Sequence, residues 1–376
     1  MKKYLVMTSI NAPTIAVEKY AAMKDWTVVM VGDKKTPKNW QCDNVVYISP
    51  KHQEKLSYLI VQNLPWSQPA RVNIGYLYAM EHGAEIITQS DDDNIPNEYW
   101  GVPPLNGDVS MIDAKDFVNI YTYFTKSFVW PRGFPLNKIL EQKNILEHSE
   151  TSQVRVWQHL ADRDTDVDAI YRLTNNKFIY FNQRTPIALQ KGTLCPFNCQ
   201  STTFYKDAYL LLYLPSFITP RASDIVRGLI AQPLLWSVGH TLGFTASTVT
   251  QERNPHNYLH DFRDELLIYL HSEDIVDIAK KMIKLSGLQL IDEKNQNDSI
   301  LESDGFFFHI HHASLKETRP DILILYDNMI ILFEEQWELQ ALLSKIKEKK
   351  TQLFNAYVKN CLVESQVCIT KATSGL

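Results

Sequence analysis

Residues 86–90 form a short apolar run that ends at three consecutive aspartates, Asp91, Asp92 and Asp93, followed by Asn94. A run of this length predicts a buried strand. The acidic residues should then lie where the strand leaves the sheet, which is the edge where open α/β folds bind their ligands. The pattern therefore indicates a site for a divalent cation, whose preferred ligands are oxygen atoms.

Side chains alternate along an extended chain, so we expect Asp91 and Asp93 to point to one side and Asp92 to the other. Two converging carboxylates match the ligands of Mg²⁺ or Mn²⁺ shared with substrate phosphates. For three aspartates taken alone, a solvated acidic turn is an equal alternative. The neighbouring segments have to decide between the two.

Arg71 lies just before a predicted helix that feeds the acidic strand, with Asn73 as its N-cap and Gly83 as its stop. Helix N-termini favour anions, so a guanidinium there suits a diphosphate. The alternative is an exposed Arg71 paired with a carboxylate.

The elements that position these residues begin with strands over residues 4–10 and 26–31, joined by a helix over residues 15–23. Strand, helix and strand in about thirty residues indicate a βαβ unit and a parallel sheet. Asp33 follows the second strand, where it accepts a hydrogen bond from a ribose or base, or simply opens the turn.

Three later segments add candidate residues. The aromatic loop 128–135 contains Arg132, which suits phosphate or carboxylate recognition beside a sugar face, although a packed loop is the alternative. Asp224 precedes or caps a helix and could deprotonate a hydroxyl. His256 lies in a polar segment and is a candidate third metal ligand or phosphate contact. The acids of residues 162–168 favour a capped helix start over a second metal site.

Composition limits the functional classes. The 376 residues carry a formal net charge of -5 with a pI near 6.1, so no overall charge favours nucleic acid or an anionic membrane. The five cysteines are sparse and suit reduced thiols of a cytosolic protein. The N-terminus does not look like a signal peptide and no run is long enough to span a bilayer. We therefore expect a cytoplasmic protein, with peripheral attachment at the inner face of the membrane as an option.

Taken together, the motifs resemble those of the STELLO-type glycosyltransferases over residues 1–285, in six segments that agree in order and spacing. These segments are Arg71 with Asn73, Gly75 and Tyr76; 91–94; 130–135; 166–173; 224–228; and 253–256. More distantly, the aspartate triplet is similar to that of plant reversibly glycosylated polypeptides, which are sugar-nucleotide mutases. Plant STELLO proteins carry a membrane anchor that this sequence lacks, so we expect a soluble relative.

The resemblance implies an α/β fold of the GT-A type, Mn²⁺ or Mg²⁺, a nucleotide-sugar donor, with a UDP-sugar favoured, and a glycan or glycolipid acceptor. It implies metal ligation by Asp91, Asp93 and His256. In an inverting reaction Asp224 would take the acceptor's proton; in a retaining one it becomes a binding residue. The residues expected to contact the nucleotide sugar are Thr8, Asn11, Asp33, Arg71, Asn73, Asp91, Asp92, Arg132, Arg253 and Asn254.

The chain after residue 285 changes character. Residues 286–303 are predicted to be a linker, and residues 304–376 a small α+β domain for acceptor binding or for homo-oligomer formation. A nuclease-like pattern of Asp321 and Glu334 is weak, because Gln336 stands where such sites have Lys. Two other functions stay open, namely a nucleotide-sugar mutase and a non-catalytic assembly factor on the same scaffold.

Overall fold

The computed structural model describes residues 1–62, 64–103, 105, 107–141, 146–216 and 218–285. The predicted linker 286–303 and the accessory domain 304–376 lie outside these residues. So do the nuclease-like pattern and the predicted oligomer contact.

Within the described residues, eleven strands form one mixed sheet. The strands are β1 (Lys3–Ser9), β2 (Trp26–Gly32), β3 (Val45–Ile48), β4 (Ile86–Ser90), β5 (Asn94–Pro96), β6 (Gly107–Asp113), β7 (Leu146–Ser152), β8 (Val154–Arg163), β9 (Ile187–Leu189), β10 (Ser201–Tyr205) and β11 (Thr241–Gln251). The helices are α1 (Ile15–Ala21), α2 (Pro50–Gln53), α3 (Val72–Glu81), α4 (Tyr121–Phe124), α5 (Ala169–Thr174), α6 (Pro220–Ser237), α7 (Tyr258–Asp264) and α8 (Leu266–Leu285).

The strand order is β3-β2-β1-β4-β10-β8-β11-β9-β6-β7, with β5 paired to β11. The first four strands in this order are mutually parallel, and β10 runs antiparallel to β4. The predicted βαβ unit is confirmed, and so is the α/β class with a mixed sheet flanked by helices, which is consistent with the GT-A type. The carboxyl ends of β1, β2 and β4 therefore meet at one edge, which is where Asp33 and the acidic turn begin.

Alternate residues of β1 pack on opposite faces of the sheet. Leu5 and Met7 lie in a core with α1, whereas Val6 lies in the larger core with α3. The helix α3 comes unusually close to the strands, because a Cβ on Gly75 would overlap Val6 and Val31. Glycine at this position lets the helix that precedes the acidic strand pack directly on the parallel part of the sheet.

Two helix starts differ from the sequence prediction. The helix α3 begins at Val72 with Arg71 as N-cap, so the N-cap assignment of Asn73 was wrong. The helix α6 begins at Pro220, and Asp224 lies inside it rather than capping it. Proline suits the first turn of a helix because it has no N–H to satisfy. By contrast, the predicted capped start near residue 168 is confirmed, since Asp168 accepts from Tyr171 N at the start of α5.

His159 gives a testable pH dependence. It is buried in the sheet between the Thr203 and Thr245 hydroxyls, and burial lowers its pKa to about 4. The unfolded chain, with a pKa near ~6.5, binds the proton first as the pH falls, so this histidine's contribution to stability is lost between about pH 6.5 and pH 4. We expect the unfolding free energy of the wild type, relative to His159→Gln, to fall by about 3 kcal/mol over that range.

The measurement is urea denaturation of both proteins at several pH values between 7 and 4. A difference between the two that stays constant across the series would contradict this assignment. Other groups titrate in the same range, which is why the comparison uses the difference from the variant rather than the wild-type curve alone.

Candidate functional site

A cavity of about 540 Å³ opens at the carboxyl ends of the parallel strands. Its other walls are the start of α6 and the segment that follows β11. Twelve of the thirteen residues predicted from the sequence line it, namely Thr8, Asn11, Asp33, Arg71, Asp91, Asp92, Asp93, Arg132, Asp224, Arg253, Asn254 and His256. The cavity thus brings together residues that are far apart in the chain.

Asn73 lies outside the cavity. Its side-chain amide donates to Leu214 O at 2.8 Å and its side-chain oxygen accepts from Leu214 N at 2.9 Å. Both ends of the amide are therefore used inside the protein. Asn73 holds the loop around Leu214, itself a cavity-lining residue, and does not have a free group for a nucleotide sugar.

The acidic turn is held in place by Asp92. Its carboxylate accepts hydrogen bonds from the Ser9 hydroxyl and from Asn11 Nδ2 at 3.1 Å, and its backbone oxygen accepts from Thr14. Because β4 ends at Ser90, the strand-like alternation expected for the three aspartates does not extend through the turn. Asp92 acts as the anchor to the β1 loop, and its neighbours face the cavity with few partners.

Among the described residues, neither Asp91 nor Asp93 forms an ion pair, although the charge of Arg253 acts on Asp93. Burial raises the pKa of Asp91 well above its usual value, and repulsion from Asp93 and Asp92 adds to the shift. Burial, followed by Asp92, raises the pKa of Asp93 to about 6, against a weak contact from Gln251 Nε2 at 3.3 Å. A cation bound between these side chains would offset the repulsion.

The donor set fits a cation that is shared with a substrate. Among the described residues, no group of three or more His, Cys, Asp and Glu side chains could hold a metal ion alone. Mg²⁺ and Mn²⁺ at nucleotide sites are commonly held by one or two carboxylates plus phosphate oxygens and water. Asp91 and Asp93 match that mode, and metal binding by them stays a prediction.

His256 faces the cavity beside a guanidinium. Its Nδ1 lies 3.0 Å from Asp261 Oδ2 and 3.3 Å from Arg253 Nη2. An imidazole whose Nδ1 lies within hydrogen-bonding distance of a carboxylate and beside a guanidinium suits a phosphate contact better than a cation contact. Its role as a third metal ligand stays a prediction.

Arg253 supplies the basic wall opposite the acidic turn. Burial, followed by the nearby Arg221, lowers its pKa to about 10. Its ion pair with Asp261 is long, at 3.6 Å. A buried guanidinium with incomplete compensation is a favourable position for an anionic ligand. Asn254 follows it, exposed at the rim.

The acidic and basic walls are joined through the backbone. Glu252 N donates to Asp93 O at 3.1 Å, and the adjoining β5 pairs with β11 from Asn94↔Gln251 to Pro96↔Val249. The two walls of the cavity are thus neighbouring strands of one sheet. The backbone thus fixes the acidic turn beside the segment that carries Arg253.

Arg71 lies at the other end of the cavity and is only 1% exposed. It stacks on Trp66 at 3.5 Å and donates to Gln53 Oε1 and Leu64 O. Burial lowers its pKa to about 10, partly offset by Asp33. Within the described residues no carboxylate lies within ion-pair distance of it, so the alternative of a paired surface arginine was wrong.

Asp33 is turned toward its own loop. Its carboxylate accepts from Ser67 N at 2.8 Å and from Lys35 N at 3.3 Å. These contacts show the turn-forming role that the sequence left open. The residue still lines the cavity, so contact with a ribose or base stays a prediction.

The aromatic loop is packed rather than exposed. Trp130 and Phe134 are buried, and Trp130 Nε1 donates to Asp168 at 2.6 Å. Of the loop's three aromatic rings, Phe128 is the exposed one. Stacking on a sugar face is therefore not available to Trp130 or Phe134. The loop's contribution to the cavity is Arg132.

Arg132 is committed to protein partners. Its guanidinium makes bidentate pairs with Asp166 at 2.8 Å and with Asp224 at 2.9 Å, and it also donates to Arg221 O. The expectation that Arg132 binds the nucleotide sugar directly does not suit this geometry. It is instead a positioning residue for two carboxylates.

Asp224 is poorly placed as a base. Burial alone would raise its pKa, but Arg132 outweighs that effect and the net pKa lies below the usual value. A base that works near neutral pH needs a pKa close to that pH and a free oxygen. Asp224 lines the cavity, but both of its oxygens accept from Arg132, which suits neither a base nor a free binding group. Catalysis by Asp224 stays a prediction.

Residues 221–284 match the sequence model of the family described as STELLO glycosyltransferases. Two proteins of Arabidopsis thaliana also match. "Probable glycosyltransferase STELLO2" is 28% identical over 270 residues, which cover 66% of this chain and 35% of that protein. "Probable glycosyltransferase STELLO1" is 28% identical over 260 residues, which cover 63% and 34%.

Over these regions the chain is similar to the STELLO glycosyltransferases. The resemblance seen in the motifs is thereby confirmed. The chain spans about a third of the length of the two STELLO proteins. The matched family region contains the basic wall with Arg253 and His256 as well as Asp224. None of the described helices combines the length and apolar character needed to cross a membrane.

Several cavity residues of this STELLO relative escaped the sequence reasoning, namely Asp166, Cys199, Arg221 and Gln251. The sequence predicts a helix cap among the acids 162–168, and Asp168 fills that role, which leaves Asp166 to the cavity. The sequence does contain a signal for this position. Two acids at alternate positions before a helix cannot both cap it, so one of them is free for another role. Arg221 and Gln251 carried no comparable signal, since single polar residues beside a helix start or strand end are common.

Proposed function

We propose that this chain transfers a sugar from a nucleotide-sugar donor to a glycan or glycolipid acceptor, and that it does so with Mn²⁺ or Mg²⁺ at the acidic turn. The STELLO relationship supports the glycosyltransferase class. The observation that carries the finer proposal is that incompletely compensated carboxylates and an incompletely compensated guanidinium line one cavity. A metal-bound diphosphate is complementary to both.

The diphosphate would lie between the acidic turn and the segment after β11. Asp91 and Asp93 would hold the cation, whose chemistry is that of a Lewis acid on the departing diphosphate. Arg253 would bind phosphate oxygens directly and stabilise the negative charge that grows as the sugar leaves. His256 would donate from the same side.

The nucleoside would extend toward the other end of the cavity. There the end of β1 supplies Thr8 and the loop after it supplies Asn11. The turn after β2 supplies Asp33, and Arg71 contributes a buried positive charge. Asp92 contributes indirectly, since it pins the β1 loop to the acidic turn. A UDP-sugar is the donor class we favour.

The test is a thermal-shift panel on the full chain with UDP, GDP, UDP-glucose, UDP-galactose, UDP-N-acetylglucosamine and GDP-mannose, each with and without Mn²⁺. A ligand that binds only the folded state raises the melting temperature by mass action. We expect at least one nucleotide sugar to raise it, and to do so only with Mn²⁺ present.

No shift with any probe, or shifts of equal size without a divalent cation, would contradict the proposal. A binder is then incubated with Mn²⁺ and without acceptor, and the sugar is analysed. Conversion of the donor to an isomer would show a mutase in place of a transferase. Binding of nucleotide sugar by itself argues against a purely structural scaffold.

A further inference from the structure

Arg132 forms bidentate pairs with two aspartates of the cavity wall, and the two carboxylates differ in how many hydrogen-bond acceptor positions remain unused. The guanidinium uses Nε and Nη2 for Asp166 and uses Nη1 and Nη2 for Asp224. All three side chains are at most 7% exposed and all three residues line the cavity. The pairing leaves Arg132 with fixed geometry and fixes the planes of both carboxylates.

Asp224 has no acceptor capacity left for a ligand. Its Oδ1 accepts from Arg132 and from Ile225 N at 3.0 Å. Its Oδ2 accepts from Arg132, from Cys199 N at 3.3 Å and from Cys199 Sγ at 3.4 Å. A carboxylate offers about four acceptor positions. By contrast, the Asp166 carboxylate accepts only from Arg132 among the described residues.

The position of Asp166 identifies what it faces. Asp166 lines the same cavity as Asp91 of the acidic turn and Arg253 of the basic wall, and its charge acts on both. The charge of Asp224 acts on Asp91 as well, but the oxygens of Asp224 are already used. In the proposed function these two walls hold the cation and the diphosphate. The donor sugar is bonded to the distal phosphate, so in this arrangement it would lie beside the cavity wall that contains Asp166.

We propose that Asp166 accepts a hydrogen bond from a hydroxyl of the donor sugar, and that Arg132 is the positioning residue that orients it. This inference rests on the proposed function and adds the residue that recognises the sugar. Asp224 completes the clamp from the other side and does not touch the sugar. A charged acceptor with a fixed orientation selects for a hydroxyl at one position of the ring.

The experiment compares two dissociation constants for each protein, measured by calorimetry with Mn²⁺. One ligand is the nucleotide sugar from the panel that binds the wild type, and the other is the matching nucleoside diphosphate. For Asp166→Asn we expect affinity for the nucleotide sugar to fall about 10- to 100-fold, as for a lost hydrogen bond to a charged group. Affinity for the nucleoside diphosphate should stay within about 3-fold.

Asp164→Asn is the matched control, because Asp164 lies two residues earlier, pairs with Arg172 and does not line the cavity. Asp166→Glu is the second variant, which keeps the charge opposite Arg132 and moves the carboxylate by one methylene. Asp166→Glu should show the same selective loss. It supplies the measurement if Asp166→Asn does not fold.

Asp224→Asn separates contact from positioning. A selective loss in Asp224→Asn that exceeds the loss in both Asp166 variants would assign the sugar contact to Asp224 and overturn the inference. Wild-type affinity for the nucleotide sugar in both Asp166 variants would also overturn it, with the proposed function intact. A wild type that binds none of the probes would overturn the proposed function, and the inference with it.

Discussion

Asp93→Ala should abolish sugar transfer and leave the chain folded. We expect the catalytic efficiency to fall at least about 1,000-fold, because the variant removes one of two carboxylates that would hold the cation on the leaving diphosphate. Stability should not fall, since burial and Asp92 raise the pKa of this carboxylate to about 6 and its ionised form is unfavourable in the native state at neutral pH. Donor turnover and thermal unfolding are the two measurements.

Asp43→Ala is the control, because Asp43 is exposed and does not line the cavity. It should retain both activity and Mn²⁺-dependent donor binding. Equal donor affinity and equal turnover in the wild type and Asp93→Ala would remove the basis for a cation site at the acidic turn.

Gly133→Ala should destabilise the chain and disrupt the cavity together. Gly133 has φ of +85°, where a Cβ is strained, and an added Cβ would overlap Ile225 Cγ2 in α6. Backbone strain and overpacking together should cost about 3 kcal/mol or more. Because Gly133 adjoins Arg132, the shift should also loosen the pairs with Asp166 and weaken nucleotide-sugar binding.

The matched control is Gly101→Ala, since an added Cβ at Gly101 meets no atom within 4 Å. Urea denaturation of both variants gives the stability difference, and calorimetry with the nucleotide sugar gives the effect on the site. Equal unfolding free energies for the two variants would show that the contact between residue 133 and α6 adapts freely.

The sequence was informative where one local pattern determines the structure. The apolar run before Asp91, the polar loop after β1 and the βαβ spacing placed the acidic turn at the ligand edge of a parallel sheet. These features depend on strand periodicity and on where strands end, and residues adjacent in the sequence determine both. Twelve of the candidate residues consequently line one cavity.

The failures involve pairings between distant segments. Arg132 meets Asp166 and Asp224, which follow it by 34 and 92 residues. Nothing local to Arg132 reveals that its donors are already satisfied. Asn73 looked like a helix cap because its residue type favours that position, yet its amide bonds Leu214, 141 residues away. Tertiary contacts overrode local preference at these positions.

The backbone pairing of β5 with β11 limits how the molecule can accommodate donors of different size. Because Asp93 O accepts from Glu252 N, the two segments that would hold the phosphates are linked through the backbone and should resist separation. Any widening must come from the facing side, where Ser67 has φ of +59° in an exposed loop that lines the same opening. Changes in that loop would therefore alter which bases and sugars the cavity accepts, while the proposed phosphate-binding segments stay unchanged.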